Sequence, residues 1–204
     1  MLVLHSRSAI SCRHGCIVYR QNGSLGLPFI RTERLVLRPW TRDDVDALHA
    51  LWTTPEVRRY LWDDVVIARD IAEQVVDSHI AMADHHGIGY WAIHRPSPVA
   101  SPEAPMIGFC GFRFVDGGPE IELMYGLRAE HWGKGFATEA CLAAIEYLWH
   151  STGFQQVYAR TDPPNVGSVG VMRRLGMMHE SNTASTITYV LRRRGLGSFR
   201  LSDG

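Results

Sequence analysis

A chain of 204 residues, 46% hydrophobic and 21% charged, has the make-up of a globular protein long enough to bury a sizeable core. Its 21 basic and 21 acidic side chains cancel, so charge argues for neither a nucleic-acid partner nor a membrane surface. The cysteines, Cys12, Cys16, Cys110 and Cys141, are scattered as reduced thiols would be. The opening MLVL run is too short for a signal peptide or a span, so a cytoplasmic protein is expected.

Residues 1–28 show neither helical nor alternating periodicity and read as a loosely packed extension. Cys12, His14 and Cys16 follow no common zinc spacing, and no metal is expected. Order begins at Thr32. Arg34 to Arg38 alternates as a half-buried strand, Pro39 closes it, and Thr41 caps a helix carrying Val45, Leu48 and Leu51. A second helix is expected from Ile67 to Ala83 with Ile67, Ile71, Val75 and Met82 inward, ending near Gly87. Between them Tyr60, Leu61 and Trp62 suit either a substrate mouth or the edge of the core.

Strands follow at Tyr90 to His94, Met106 to Phe114 and Glu120 to Leu127. The first two are separated by a stiff proline-rich loop, and the last two are joined by an Asp116-Gly117-Gly118 hairpin turn. A helix from about Lys134 turns Ala137, Cys141, Ala144, Ile145 and Leu148 inward and Glu139 and Glu146 to solvent. A strand at Gln155 to Thr161, a short helix at Val166 to Leu175 and strands at Met177 to Ser181 and Thr186 to Arg192 complete the pattern. Gly167 and Gly170 weaken the short helix, which suggests that something passes close to its backbone. The fold class is α+β in α/β/α layers, with a mixed, mostly antiparallel sheet over residues 29–193 and a polar tail at 194–204.

The stretch EIELMYGLRAEHWGKGFAT carries the chemistry. A strand handing over through Gly133 and Gly135 into a helix offers free amides at the positive end of a helix dipole, an anion site suited to phosphate. Glu120 and Glu122, two apart on the strand, share a face. Arg128 stands where a Walker loop needs glycine, and no third glycine completes a dinucleotide fingerprint, so neither nucleotide reading is favoured.

Three blocks, IRTERLVLRPWTRDD, the stretch above and ARTDPPNVGSVGVMRRLGM, resemble in order and spacing the GNAT superfamily of N-acetyltransferases, most closely its RimJ/RimL-like subgroup, over about Ile30 to Leu191. The resemblance implies a sheet whose fourth and fifth strands splay apart and a pyrophosphate loop at Trp132, Gly133, Lys134, Gly135, Phe136, Ala137 and Thr138. It places the pantetheine arm of acetyl-CoA along the backbone of Tyr125 to Leu127, with Asn165 on its amides. Acetyl would pass from acetyl-CoA, as co-substrate, directly to a primary amine. Glu122 is the expected base, with Glu120 in reserve. The acid that usually assists the leaving thiolate is a tyrosine four residues before the glycine of the last helix; here that position is Met172, leaving Ser168 as the nearby hydroxyl. That departure keeps open an alternative, a catalytically silent acyl-CoA-binding module. The acceptor is open between a protein N-terminus and a small amine, as is a homodimer.

Overall fold

The computed structural model describes residues 9–11, 16–19, 26–96 and 105–193. Cys12, His14, most of the proline-rich loop and the tail from 194 lie outside them. Ten strands form one sheet: β1 (Ala9–Ser11), β2 (Ile17–Tyr19), β3 (Phe29–Arg31), β4 (Val36–Pro39), β5 (Tyr90–His94), β6 (Met106–Phe114), β7 (Ile121–Leu127), β8 (Gln156–Thr161), β9 (Met178–Asn182) and β10 (Ile187–Arg192). They lie in chain order as far as β8, followed by β10 and then β9. Every neighbouring pair is antiparallel except β7 and β8, which the crossover helix makes parallel as expected. The β6–β7 hairpin turns through Asp116 and Gly117, both at positive φ, closed by Gly118 N–H donating to the Val115 carbonyl.

The helices are α1 (Val45–Trp52), α2 (Pro55–Leu61), α3 (Arg69–His86), α4 (Phe136–Ser151) and α5 (Val166–Arg174). Two buried clusters hold the layers together. On one face α1, α2 and α3 cover Trp40, Tyr90 and Phe109; on the other, α4 and α5 cover Trp91, Phe112, Ile121 and Leu123. The alternation of β7 divides its side chains between them: Leu123 joins the α4 cluster, and Met124 packs against the other.

Several expectations need correcting. Among the described residues of 1–28, β1 and β2 extend the sheet edge and Cys16, Val18 and Leu27 are buried. Strands of three residues are too short to show alternation, which is why periodicity missed them. The segment Pro55–Leu61 is helical, with proline in its first turn and Val57 alone buried, so it lacks the apolar stripe that signals a helix. In α3 the inward face is Ala72, Val76 and Ala83, one residue on from the expected stripe, and Ile71 is exposed. Glu139 and Glu146 do not face solvent. Glu139 accepts from Thr32 Oγ1 (2.6 Å), the Arg34 amide (2.9 Å) and Arg34 Nε (2.6 Å), and buried Glu146 accepts from Cys16 Sγ (3.2 Å). The N-terminal edge therefore closes over the outer side of α4.

Candidate active site

The loop before α4 is built to present amides. Gly133 and Gly135 both take left-handed φ (71° and 79°), and Gly135 is the N-cap of α4. A Cβ on Gly133 would meet nothing within 4 Å on the protein side, so glycine is there for its backbone conformation and for the open space above it. The amides of Gly133, Lys134 and Gly135 donate to nothing among the described residues. The first turn of α4 adds those of Phe136, Ala137 and Thr138, which no earlier carbonyl in the helix can reach. Trp132 explains its own presence: its indole N–H donates to the Leu127 carbonyl at 2.8 Å and pins the loop to the end of β7. Lys134 turns outward, its ammonium on the Glu130 carbonyl (2.7 Å) and its own carbonyl accepting from Arg34. The cation that does join the amides is Arg174 on α5, donating to Thr138 Oγ1 at 3.3 Å.

β7 and β8 share a single paired position, Glu122 with Tyr158. Beyond it the strands part, and a cavity of about 540 Å³ opens between them. One wall is the strand from Leu123 to Leu127; opposite stand Arg160, Thr161, Asn165, Gly167 and Ser168; the glycine loop closes one end, and Glu56, Val57, Tyr60 and Leu61 of α2 stand over the mouth. Gly167, read as a place of close approach, is on the cavity, whereas Gly170 only neighbours the Arg174 guanidinium. Tyr60 and Leu61 thus belong to the mouth, while Trp62 packs against Trp52 in the core, with ring centroids 5.7 Å apart.

Asn165 caps α5, its Oδ1 accepting from the Ser168 amide at 3.1 Å, which leaves the amide N–H₂ group to donate elsewhere. The Ser168 hydroxyl has no partner among the described residues, and the Ser168 carbonyl accepts from the Tyr125 hydroxyl at 3.1 Å. Burial, reinforced by nearby Cys141, pushes the Tyr125 phenol well above its ordinary value. Met172 fills the core beneath α5.

The two glutamates sit differently from one another. Glu122 is buried, and its Oε2 accepts from Arg113 Nε (2.8 Å) and Nη2 (2.7 Å), while Oε1 lies 3.6 Å from Arg160 Nη1. Glu120 is exposed and reaches Arg160 Nη2 at 3.4 Å. Neither lines the cavity; Arg160 does, and so does Glu56, a carboxylate with no partner among the described residues. Sequence reasoning missed the Tyr125 phenol, Glu56, Arg160 and Arg174. Strand parity was the available signal for Arg160, since it stands two residues beyond Tyr158, the partner of Glu122.

A parallel pair thus parts into a cleft, with a glycine loop and a helix N-terminus at one end. The chain belongs to the GNAT acetyltransferase family, whose domain model matches residues 34–178. It is 32% identical over 154 residues to the uncharacterised N-acetyltransferase p20 of Bacillus licheniformis, covering 73% of this chain and 82% of that one. Among solved structures it resembles an acetyltransferase of Agrobacterium tumefaciens (TM-score 0.71, 23% identity, 85% of this chain and 99% of that one). It also resembles RimL, the ribosomal L7/L12 α-N-protein acetyltransferase, solved with coenzyme A (TM-score 0.66, 17% identity, 79% and 96%). The protein is an acetyltransferase. Among the described residues no helix is long and apolar enough to cross a membrane, and no group of metal-ligating side chains occurs.

Proposed function

We propose that this protein transfers acetyl from acetyl-CoA to a primary amine in a ternary complex, as an enzyme of the RimJ/RimL-like kind. The observation that carries the reading is the cleft: one cavity joins a loop of free amides, the side chains of Tyr125 and Ser168, and the carboxylate of Glu56, which has no partner among the described residues. The amides from Gly133 to Thr138, with Arg174 beside them, suit a pyrophosphate, and Asn165 and the Tyr125 to Leu127 backbone suit the amides of a pantetheine arm. Bound there, acetyl-CoA supplies a thioester carbonyl that the neutral amine attacks, forming the C–N bond as the C–S bond breaks and the thiolate leaves.

The protein's own groups manage the protons. Glu56 on the cavity takes one from the substrate ammonium, directly or through water. Its freedom favours it over the expected Glu122, whose oxygens are engaged by Arg113 and Arg160. The leaving sulfur receives a proton from the Tyr125 hydroxyl, which stands on Ser168 across the cleft and supplies what Met172 cannot, and the second proton that the nitrogen sheds as the amide forms restores the phenol.

A thiol-release assay with acetyl-CoA against amines and N-terminal peptides tests the reading. Glu56→Gln should lower kcat by about a hundredfold, the lower end of general-base effects. An unchanged rate there, with the loss appearing in Glu122→Gln instead, returns the base to Glu122. In Gly135→Glu a carboxylate faces the phosphates, and CoA affinity by calorimetry should fall by about a hundredfold or more. Undiminished affinity removes the loop assignment.

A further inference from the structure

Arg160 has more hydrogen-bonding capacity than its surroundings use. Its Nη1 is buried without a hydrogen-bond partner, 3.6 Å from Glu122 Oε1, and its Nη2 reaches only the exposed Glu120, at 3.4 Å. The reason is competition. Arg113 already holds Glu122 Oε2 through two short bonds, so Arg160, which lines the cavity, is left with long contacts. A guanidinium presents five donors in a planar fork that matches a carboxylate. Two arginines and two glutamates make the cluster neutral overall, so the repulsion from Glu120 and Glu122 grows with the charge of an incoming anion, and a singly charged carboxylate on the spare donors of Arg160 is opposed less than a dianion such as phosphate. Glu56, over the mouth from α2, gives the cavity the opposite charge.

Building on the acetyl-transfer reading, we propose that the acceptor is a primary amine that also carries a carboxylate, and that Arg160 grips this carboxylate while the amine faces the thioester. Glu122 is then a positioning residue, fixing Arg113 and through it the geometry that leaves Arg160 unsaturated.

The test compares free amino acids with their α-amides, and dipeptides bearing Asp with those bearing Asn, by acetyl transfer and by calorimetry on CoA-loaded protein. The amides have the less basic amines and hence more free base at a given pH, so a preference for the acids runs against amine availability. The acid forms should be favoured about tenfold to a hundredfold in kcat/KM or in affinity, and Arg160→Gln should collapse that ratio while CoA still binds. Arg160→Lys should restore part of it. Glu120→Gln, which releases Arg160 from its exposed partner, should lower KM for the acids, a change that a merely structural Arg160 would not produce. Equal use of acids and amides overturns the proposal, as does an acid preference that survives in Arg160→Gln, or binding of neither form. Selective binding of acids that Arg160→Gln abolishes, without transfer to any amine, upholds the carboxylate site and overturns the transfer reading.

Discussion

Tyr125 shows how much one side chain's surroundings decide. Its backbone lies on the strand wall of the cleft, and its hydroxyl crosses to the Ser168 carbonyl. Burial holds it as a neutral phenol well past its ordinary value of 10.0, the protonation state that a donor to a departing thiolate needs. Tyr125→Phe should therefore reduce kcat by about a hundredfold with little change in CoA affinity, and no loss of activity from Tyr125 ionisation should appear below about pH 10. If kcat is unchanged in both Tyr125→Phe and Ser168→Ala, the thiolate leaves unaided. The family resemblance assigned Tyr125 only a backbone role, beside the pantetheine arm. That β8 departs after one paired position, leaving residue 125 at the margin of the core, is a fact of tertiary geometry.

Two carboxylates tie elements together. Asp44 closes the turn ahead of α1, accepting from the Thr41 amide (2.8 Å) and from Arg38 on β4 (2.9 Å). Glu139 fastens α4 to the segment between β3 and β4. Burial pushes both carboxyl groups up, but hydrogen bonds from Arg38 and Thr41 in one case, and from Thr32 and Arg34 in the other, outweigh it and hold both below their ordinary values of 3.8 and 4.5. A folded-state value below the unfolded one gives stability that is fully present above the unfolded value and is lost as pH falls through the folded one. Thermal stability should thus be flat above about pH 5 and fall below it. Asp44→Asn should cost about 2 kcal/mol and the more exposed Glu139→Gln about 1 kcal/mol at neutral pH, and each should flatten the acid limb of a melting-temperature series. An acid limb unaltered in both variants would assign it to other groups. The Thr41 cap was legible from local spacing, whereas the Glu139 clamp joins residues more than a hundred positions apart, and no periodicity reports on that.

At the scale of the molecule, the order of elements from β4 onward apart from α2, the antiparallel run β5–β6–β7 and the parallel crossover were all readable, because long alternating strands and a glycine-entered helix leave strong signals. The three short N-terminal strands and α2 were not, since each gains its structure from what it packs against. The single β7–β8 pairing has a further consequence, for the lifetime of the fold. An interior sheet opened along most of one seam has edge amides that exchange with solvent, and an extended arm laid in the seam acts as the missing strand. CoA should then slow exchange along β7, β8 and Gly133 to Thr138, and at a hundred times its Kd raise stability by about 2.7 kcal/mol, or about 5–10 °C in Tm. Exchange in those segments that is indifferent to CoA would count against that placement. Where the fold is weakened, for example by Asp44→Asn, the amount of intact protein in a cell should follow the acetyl-CoA supply, with turnover quickening as that supply falls.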